Sequence, residues 1–266
     1  MEVSIGCGTS AACDGCALDP ATSRRQFCVP ESTEVTRACI ISRRLLRPSV
    51  AEVVIEPFSP LDVRAGQFVF LRRDDGLTRP YSVSNLVDAD GHIVLHVGRV
   101  PGGQMSSWLC DEDILGADVW LGGPGGRCFY DQTMADRSLV LAGTGTGLSP
   151  LFGVAQDALE QGHRAAIDIC HGARSSDGLY LHGRLEQMSA THAHLSYLPS
   201  VLDGATDRPW QVGRIEDTLA ASIAGTGSDK CIVFLCGPPE TVRQMQRVAL
   251  DAGVLPRDLY LDPFSG

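Results

Sequence analysis

The chain has 266 residues, of which 44% are hydrophobic and 20% are charged, a composition that suits one large or two ordinary globular domains. Its 22 Lys and Arg residues are outnumbered by 32 Asp and Glu residues, and the formal charge of -10 argues against a broad nucleic-acid-binding face. Because the first residues lack a secretion signal and no apolar run approaches a membrane span of roughly 18 residues, we expect a cytoplasmic protein without a membrane span.

The beginning of the chain is rich in cysteine. Four of the ten cysteines fall within the first 28 residues, in the spacing C-x5-C-x2-C-x11-C. Without a secretion signal, such cysteines indicate reduced thiols or metal ligands more than a disulfide framework. Four thiolates separated by small residues can wrap a loop around a tetrahedral metal or an iron-sulfur cluster. The four candidate ligands are Cys7, Cys13, Cys16 and Cys28.

The segment CGTSAACDGC resembles the binding loop of 2Fe-2S proteins, although the plant-type spacing C-x4-C-x2-C is one residue shorter. The head is too short for a whole plant-type ferredoxin domain. Its layout is more similar to the short cluster-binding segment in the electron-transfer subunit of heteromeric dihydroorotate dehydrogenase, where that segment follows the reductase domains instead of preceding them. We expect a 2Fe-2S cluster here, and a structural zinc site or a head without metal stays open.

Short β-rich runs separated by Pro, Gly and Asp turns follow from about residue 35. The runs are TRACIISRRLL, VAEVVIE, GQFVFLRR, HIVLHVGRV and ADVWLGG. Regularly spaced strands with few helices predict a small antiparallel barrel. Among these runs lie two further motifs, R-P-Y-S at residues 79–82 and G-G-Q-M-S-S at residues 102–107.

The motif R-x-Y-S, followed by a Gly-rich turn with serine, is similar to the flavin site of the ferredoxin-NADP reductase family. By this resemblance, Arg79 pairs with the flavin pyrophosphate, because a guanidinium fork suits phosphate oxygens. Tyr81 would pack on the isoalloxazine ring and Ser82 would hydrogen-bond near flavin N5. The start of the next predicted helix would meet the pyrophosphate from the other side. The other residues that the resemblance places at FAD are Pro80, His96, Val97, Gly103, Met105 and Ser106.

After residue 136, apolar β runs alternate with segments of helical periodicity. This alternation predicts a doubly wound parallel sheet with its ligand at the carboxyl ends of the strands. Two glycine motifs lie at such ends, G-T-G-T-G at residues 143–147 and C-G-P-P at residues 236–239. Glycines after a strand let backbone N–H groups approach a phosphate closely, although such a motif alone is also compatible with an ordinary tight turn.

The family resemblance extends to both glycine motifs. It implies that the first, consisting of Gly143, Thr144, Gly145, Thr146 and Gly147, receives the nicotinamide nucleotide. In the second, Cys236 would border the nicotinamide ring together with Thr146, and Gly237 and Pro238 would complete the pocket. By the resemblance, Arg174 lies where members of the family bind the adenosine ribose. We expect NADH as the nucleotide, with NADPH left open. Phe264 is expected either over the flavin or in a surface tail.

These expectations divide the chain into a Cys-rich segment at residues 1–34, an FAD-binding barrel at 35–135 and an NAD(P)-binding domain at 136–266. The resemblance implies a flavin oxidoreductase that takes hydride from the nicotinamide, with Ser82 and Cys236 as catalytic residues. Single electrons would leave through the cluster to a protein acceptor such as an oxygenase component. The alternatives are an electron-transfer subunit of a larger oxidoreductase complex and a flavin reductase with a structural zinc head.

Overall fold

The computed structural model describes residues 35–85, 90–204 and 209–264. The described strands form two six-stranded sheets, the first antiparallel and the second parallel, as the sequence predicts. The four cysteines of the predicted cluster lie outside the described residues, and these are Cys7, Cys13, Cys16 and Cys28. In the described part of the chain, no helix is long and apolar enough to cross a membrane.

The antiparallel sheet has the strand order β4-β3-β6-β1-β2-β5. Its strands are β1 (Val35–Arg47), β2 (Val50–Pro57), β3 (Phe68–Arg72), β4 (Thr78–Ser82), β5 (Ile93–Gly98) and β6 (Asp118–Gly125). An antiparallel bridge between Val83 and Leu95 joins the two edges and closes the sheet into a barrel. Since side chains alternate along a strand, Leu95 and Val97 fill the barrel core while His96 points to the outer face. Helix α1 (Gln104–Asp111) follows β5.

The parallel sheet has the order β10-β9-β8-β7-β11-β12. Its strands are β7 (Ser138–Thr144), β8 (Ile167–Ala173), β9 (Leu195–Val201), β10 (Gln211–Val212), β11 (Cys231–Gly237) and β12 (Leu259–Pro263). Its helices are α2 (Leu148–Glu160), α3 (His182–Thr191), α4 (Ile215–Thr226) and α5 (Pro239–Asp251). Helices α2 and α3 pack on one face, α4 and α5 on the other. Strands buried on both faces read as nearly continuous apolar runs, which explains the sequences SLVLA in β7 and CIVFL in β11.

Three strands lie outside the predicted runs. Strand β4 carries the R-P-Y-S motif, and β12 carries the C-terminal segment that we expected either over the flavin or in a surface tail. Each contains a proline, which removes a backbone donor and weakens the strand signal in the sequence. The third, β10, has only two residues.

The two sheets share one hydrophobic cluster. Val50 of β2 and the connection carrying Cys128 and Tyr130 pack into the cluster beneath α2. Gly66 makes this approach possible, because a Cβ there would lie 2.1 Å from the Cys128 carbonyl oxygen and 2.6 Å from Val154 Cγ2. The barrel and the parallel sheet are therefore held in direct contact, and the domain boundary near residue 136 stays a prediction.

Candidate functional site

The two glycine motifs, nearly a hundred residues apart in sequence, pack against each other backbone to backbone. A Cβ on Gly147 would lie 2.5 Å from the carbonyl oxygen of Cys236. Gly237 has a φ of +140°, and a Cβ there would lie 2.9 Å from Thr144 Oγ1. Both positions therefore require glycine, and together they form a cradle at the carboxyl ends of β7 and β11.

This cradle offers unused hydrogen-bonding groups. The hydroxyl oxygens of Thr144 and Ser149 are buried without a hydrogen-bond partner among the described residues. Helix α2 begins directly after the cradle without a side-chain cap and without an acidic residue in its first turn, so no side chain of the helix start competes with an anion there. Gly145 has a φ of +55° and open space around it. A nucleotide phosphate would satisfy these donors, so the cradle fits the predicted ligand.

The end of barrel strand β5 reaches the same cradle. A Cβ on Gly98 would lie 3.1 Å from Thr146 Oγ1, so the Thr146 side chain packs directly on the barrel backbone at this point. The structure thus places the predicted nucleotide turn against the end of strand β5. Two residues just before Gly98 on this strand, His96 and Val97, were predicted at the flavin.

A second junction joins β4 to β12. The hydroxyl of Ser82 donates a hydrogen bond of 2.9 Å to Asp262 Oδ2. Asp262 pairs in register with Cys236 on the neighbouring strand, and the N–H of Phe264 donates to the Gly237 carbonyl oxygen at 2.8 Å. Ser82, Cys236 and Phe264, each predicted separately, therefore lie around one carboxylate.

The sequence analysis missed Asp262. Burial raises the pKa of its carboxyl to about 6, against the lowering effect of the Ser82 hydrogen bond. The Asp262 carboxyl therefore becomes protonated near pH 6, a pH at which most carboxyls in proteins stay ionised. A carboxylate at the end of the apolar run LYL was the available signal, because ligands bind at the carboxyl ends of parallel strands.

Cys236 itself is fully buried, and burial raises the pKa of its thiol well above the ordinary value. The thiol stays protonated at neutral pH, so the structure gives no support for a nucleophilic cysteine at this position. Cys236 therefore acts as a small apolar side chain that packs at the cradle.

Arg79 and Tyr81 lie on β4 close to Ser82. The Arg79 side chain is exposed, its Nη1 donates only to the Thr78 carbonyl oxygen at 2.7 Å, and it has no carboxylate partner among the described residues. Tyr81 packs partly buried against the barrel core, where burial raises the pKa of its hydroxyl. A free guanidinium beside an aromatic face fits a pyrophosphate and a planar ring.

Other predicted flavin residues have side chains turned away from this surface. Val97 and Met105 are buried in the barrel core. The Ser106 hydroxyl accepts a hydrogen bond of 3.1 Å from the Val100 N–H. A Cβ on Gly103 would lie 2.6 Å from that hydroxyl, so this turn is closed locally. Contacts of these residues with FAD would have to come from the backbone, and their assignment stays a prediction.

His96 belongs to a polar cluster between the barrel and α3. Glu52 on β2 accepts hydrogen bonds from Arg44 at 2.6 Å and from Arg184 of α3 at 2.8 Å, and His96 Nε2 lies 3.5 Å away. His96 Nδ1 lies 3.2 Å from the Tyr180 hydroxyl oxygen. His96 and the two guanidinium groups hold the pKa of the Glu52 carboxyl well below its usual range in spite of burial. This cluster fixes the barrel to the parallel-sheet half.

Replacing Glu52 with glutamine should lower the free energy of unfolding at neutral pH by about 1–3 kcal/mol, because both arginines and His96 lose their anionic partner. A carboxyl with a depressed folded pKa stabilises fully above its unfolded pKa, so the difference from wild type should begin to shrink as the pH falls below about 4.5 and should vanish only at the much lower folded pKa. Denaturant unfolding at several pH values measures both effects. Glu56→Gln on the same strand, where the side chain is exposed, is the control. Equal stabilities of the two variants would contradict the assignment.

The four predicted metal ligands lie outside the described residues. Among residues 35–85, 90–204 and 209–264, no group of three or more His, Cys, Asp or Glu side chains is arranged to hold a metal ion.

Both halves of the described structure match known family models. Residues 48–130 match the oxidoreductase FAD-binding domain, and residues 141–247 match the oxidoreductase NAD-binding domain. The two models follow the order of the antiparallel and parallel sheets.

Curated relatives and solved structures give the same picture. The chain is 26% identical over 243 residues to the reductase component (ferredoxin--NAD(P)(+)) of the naphthalene 1,2-dioxygenase system of Pseudomonas putida, covering 89% of this chain and 73% of the relative. It is 29% identical over 267 residues to reductase component 1 of terephthalate 1,2-dioxygenase of Comamonas sp, covering 97% and 76%. The crystal structure of the Amycolatopsis cytochrome P450 reductase GcoB superimposes with a TM-score of 0.79 at 28% identity, covering 88% of this chain and 71% of that one.

Proposed function

Because the chain consists of ferredoxin-NADP reductase-like FAD- and NAD-binding domains and is homologous to oxygenase reductase components, we propose that it is an NADH-dependent reductase serving a protein electron acceptor. The acceptor that the relatives' names favour is an oxygenase component. The observation that carries this proposal is the junction of the two sheets, where Ser82 of the barrel meets Asp262 beside the nucleotide cradle.

The chain's own residues would bind and orient the two cofactors at this junction. Arg79 would hold the FAD pyrophosphate, and Tyr81 would cover one face of the isoalloxazine ring. The cradle at residues 143–147 would hold the nucleotide through the backbone of the glycine turn and the Thr144 hydroxyl. When bound, FAD accepts a hydride from the nicotinamide and returns its electrons one at a time.

The protein's contribution is position and shielding from water. Thr146 packed on Gly98 and Gly147 packed on Cys236 keep the two binding surfaces within one closed junction. Holding two reactants in one geometry removes the entropic cost of their encounter, which is the main service a protein gives to cofactor chemistry. Ser82 and Asp262 would hold a proton next to the reacting ring.

The cysteine-rich head would supply the outlet for single electrons. We propose a 2Fe-2S cluster in this head, with a structural zinc ion as the competing assignment. The proposal rests on the spacing of the four cysteines and on the small residues between them, all of which lie outside the described residues.

Cys13→Ser is expected to abolish the visible and paramagnetic signals of the cluster while leaving the rate of flavin reduction by NADH within about twofold of wild type, because hydride transfer needs only the two cofactor domains. Iron and zinc analysis of the same samples separates the two metals. Cys39→Ser, on β1, removes a thiol outside the proposed ligand set and should change neither signal. Loss of flavin reduction in the Cys13 variant would overturn this division of labour.

Turnover with an artificial one-electron acceptor tests the function as a whole. A purified monomer that oxidises NADH with such an acceptor behaves as a free reductase. A chain that is inactive until it joins a large catalytic subunit would instead be an electron-transfer subunit of a larger oxidoreductase complex.

A further inference from the structure

A hydrogen bond between two buried side chains crosses the junction of the two sheets. His96 lies on β5, and Tyr180 lies two residues before α3. They are 5% and 7% exposed. The His96 Nδ1 atom lies 3.2 Å from the Tyr180 hydroxyl oxygen, and the two rings meet edge to face with their centroids 5.5 Å apart. This pair ties one barrel strand to the parallel-sheet half.

The direction of this hydrogen bond follows from the protonation of His96. Burial lowers the pKa of the imidazole, against the raising effect of Glu52, so the ring is neutral near neutral pH and carries one N–H. Glu52 is the cross-strand partner of His96, is held ionised and can only accept hydrogen bonds, so the proton lies on Nε2, which faces that carboxylate. Nδ1 is therefore the acceptor, and the Tyr180 hydroxyl is the donor.

Both ends of this tie lie beside the proposed meeting point of the two cofactors. His96 is two residues before Gly98, whose backbone packs on the nucleotide turn. On the other side, the Tyr180 ring packs edge to face on His171 with a centroid distance of 6.1 Å. His171 pairs in register with Gly143, the first residue of the nucleotide turn. The Tyr180 ring therefore lies between the strand proposed at the flavin and the strand beside the nucleotide turn.

The Tyr180 hydroxyl matters because its surroundings are closely packed. Tyr180 belongs to the hydrophobic cluster beneath α2. Without the hydroxyl, His96 Nδ1 would be a buried acceptor with no partner among the described residues, which favours a shift of the side chain. Because protein interiors are close-packed, such a shift would move the end of β5 that carries Gly98. Hydride transfer needs the reacting atoms about 3–3.5 Å apart, and a misplacement of about 1 Å can lower a rate about 100-fold.

We propose that Tyr180 is a positioning residue for hydride transfer, whose hydroxyl holds His96 and thereby sets the distance between the nicotinamide on the nucleotide turn and the flavin on the barrel. Tyr180 acts through the position of β5 and not through contact with either cofactor. This inference rests on the proposed function, because it assumes that the two cofactors meet at this junction.

Tyr180→Phe tests the proposal, because it removes the hydroxyl and keeps the ring. Tyr130→Phe is the matched control. The Tyr130 hydroxyl oxygen lies 3.2 Å from His163 Nδ1, and these rings also meet edge to face with their centroids 5.5 Å apart. His163 precedes β8, so this second pair lies at the opposite, amino edge of the parallel sheet. Both variants lose one buried contact with a histidine, so a purely structural role predicts the same effect in both.

Anaerobic stopped-flow reduction of the FAD-loaded protein by NADH measures the effect. In Tyr180→Phe, the limiting rate of flavin reduction should fall about tenfold, while the NADH concentration that gives half of that rate should change less than about twofold. The long-wavelength charge-transfer absorbance of a nicotinamide ring stacked on flavin should weaken in the same variant. The control should keep both the wild-type rate and this absorbance.

Removal of the acceptor gives a second route to the same test. His96→Ala should also slow flavin reduction, and the double variant His96→Ala/Tyr180→Phe should be slower than His96→Ala by less than about twofold, because the hydroxyl no longer has its partner. The FAD content per chain and the temperature of thermal unfolding, measured on the same samples, show whether each variant is folded and loaded.

The proposal is overturned if Tyr180→Phe reduces its flavin at the wild-type rate, if Tyr130→Phe is slowed equally, or if the double variant loses the full effect of both single variants. Failure of the proposed function looks different, because in that case neither nicotinamide nucleotide reduces bound flavin in the wild type.

Discussion

Arg79→Ala and Tyr81→Ala should each cause the purified protein to lose most of its FAD. The Arg79 guanidinium is exposed and has no carboxylate partner within the described residues, so it is free to pair with a pyrophosphate. A hydrogen bond to a charged group contributes about 1.5–3 kcal/mol, which corresponds to a loss of affinity of about 10- to 150-fold. Flavin absorbance per chain after gel filtration measures the loss.

Two matched variants separate flavin binding from folding. Tyr81→Phe keeps the aromatic face and should keep the flavin. Arg257→Ala removes an exposed guanidinium that precedes β12, at the amino edge of the parallel sheet, and should also keep it. Thermal unfolding of the apoproteins should be nearly the same for Arg79→Ala, Tyr81→Phe and Arg257→Ala, because Arg79 makes no interaction that the fold requires, whereas Tyr81→Ala should unfold at a lower temperature because Tyr81 packs against the barrel core. Unchanged flavin content in both alanine variants would remove the flavin assignment of β4.

Asp262→Asn should slow flavin reduction by NADH by about 100-fold, the lower end of the range for groups that handle a proton in the reacting centre. Burial raises the pKa of this carboxyl to about 6, so its ionised form, which accepts the Ser82 hydrogen bond, dominates above that pH. The wild-type rate should therefore fall as the pH decreases through about 6. The asparagine variant has no group to titrate there and should lose this inflection. Anaerobic stopped-flow reduction between pH 5 and 8 measures both changes.

The partner of Asp262 provides the next check. Ser82→Ala should cause a similar loss, and the double variant should be little worse than either single variant, because the two side chains act through one hydrogen bond. Asp251→Asn makes the same charge change at an exposed position at the end of α5 and should leave the pH profile intact. An Asp262→Asn enzyme that keeps the inflection near pH 6 would show that another group titrates.

The sequence predicted the two sheets because hydrophobic periodicity depends on local burial. The runs that became β1 and β2 alternate buried and exposed residues, as in a sheet with one solvated face, whereas the run of β11 is buried throughout. The positions of the two glycine motifs were also predictable, since a strand followed by clustered glycines indicates a close approach of the backbone to a neighbour or a ligand.

The contacts across the junction could not be predicted in the same way. Ser82 and Asp262 are 180 residues apart, and periodicity does not reveal which strand ends face each other in space. His96 illustrates the problem on a smaller scale. Alternation predicts that it faces away from Val97, but only the packing of α3 shows that the outer face of β5 meets Glu52 and Tyr180.

The most direct test of the central claim is an anaerobic titration of the purified protein with NADH, followed by visible absorption, with iron and zinc analysed on the same sample. We predict flavin bands that bleach on addition of NADH, together with about two irons per chain and absorbance beyond the flavin peaks. Flavin bands with zinc or without metal would still support a reductase, but would indicate a small molecule as its electron acceptor. A protein that holds no flavin under any loading condition, or whose flavin is not reduced by either nicotinamide nucleotide, would contradict the account.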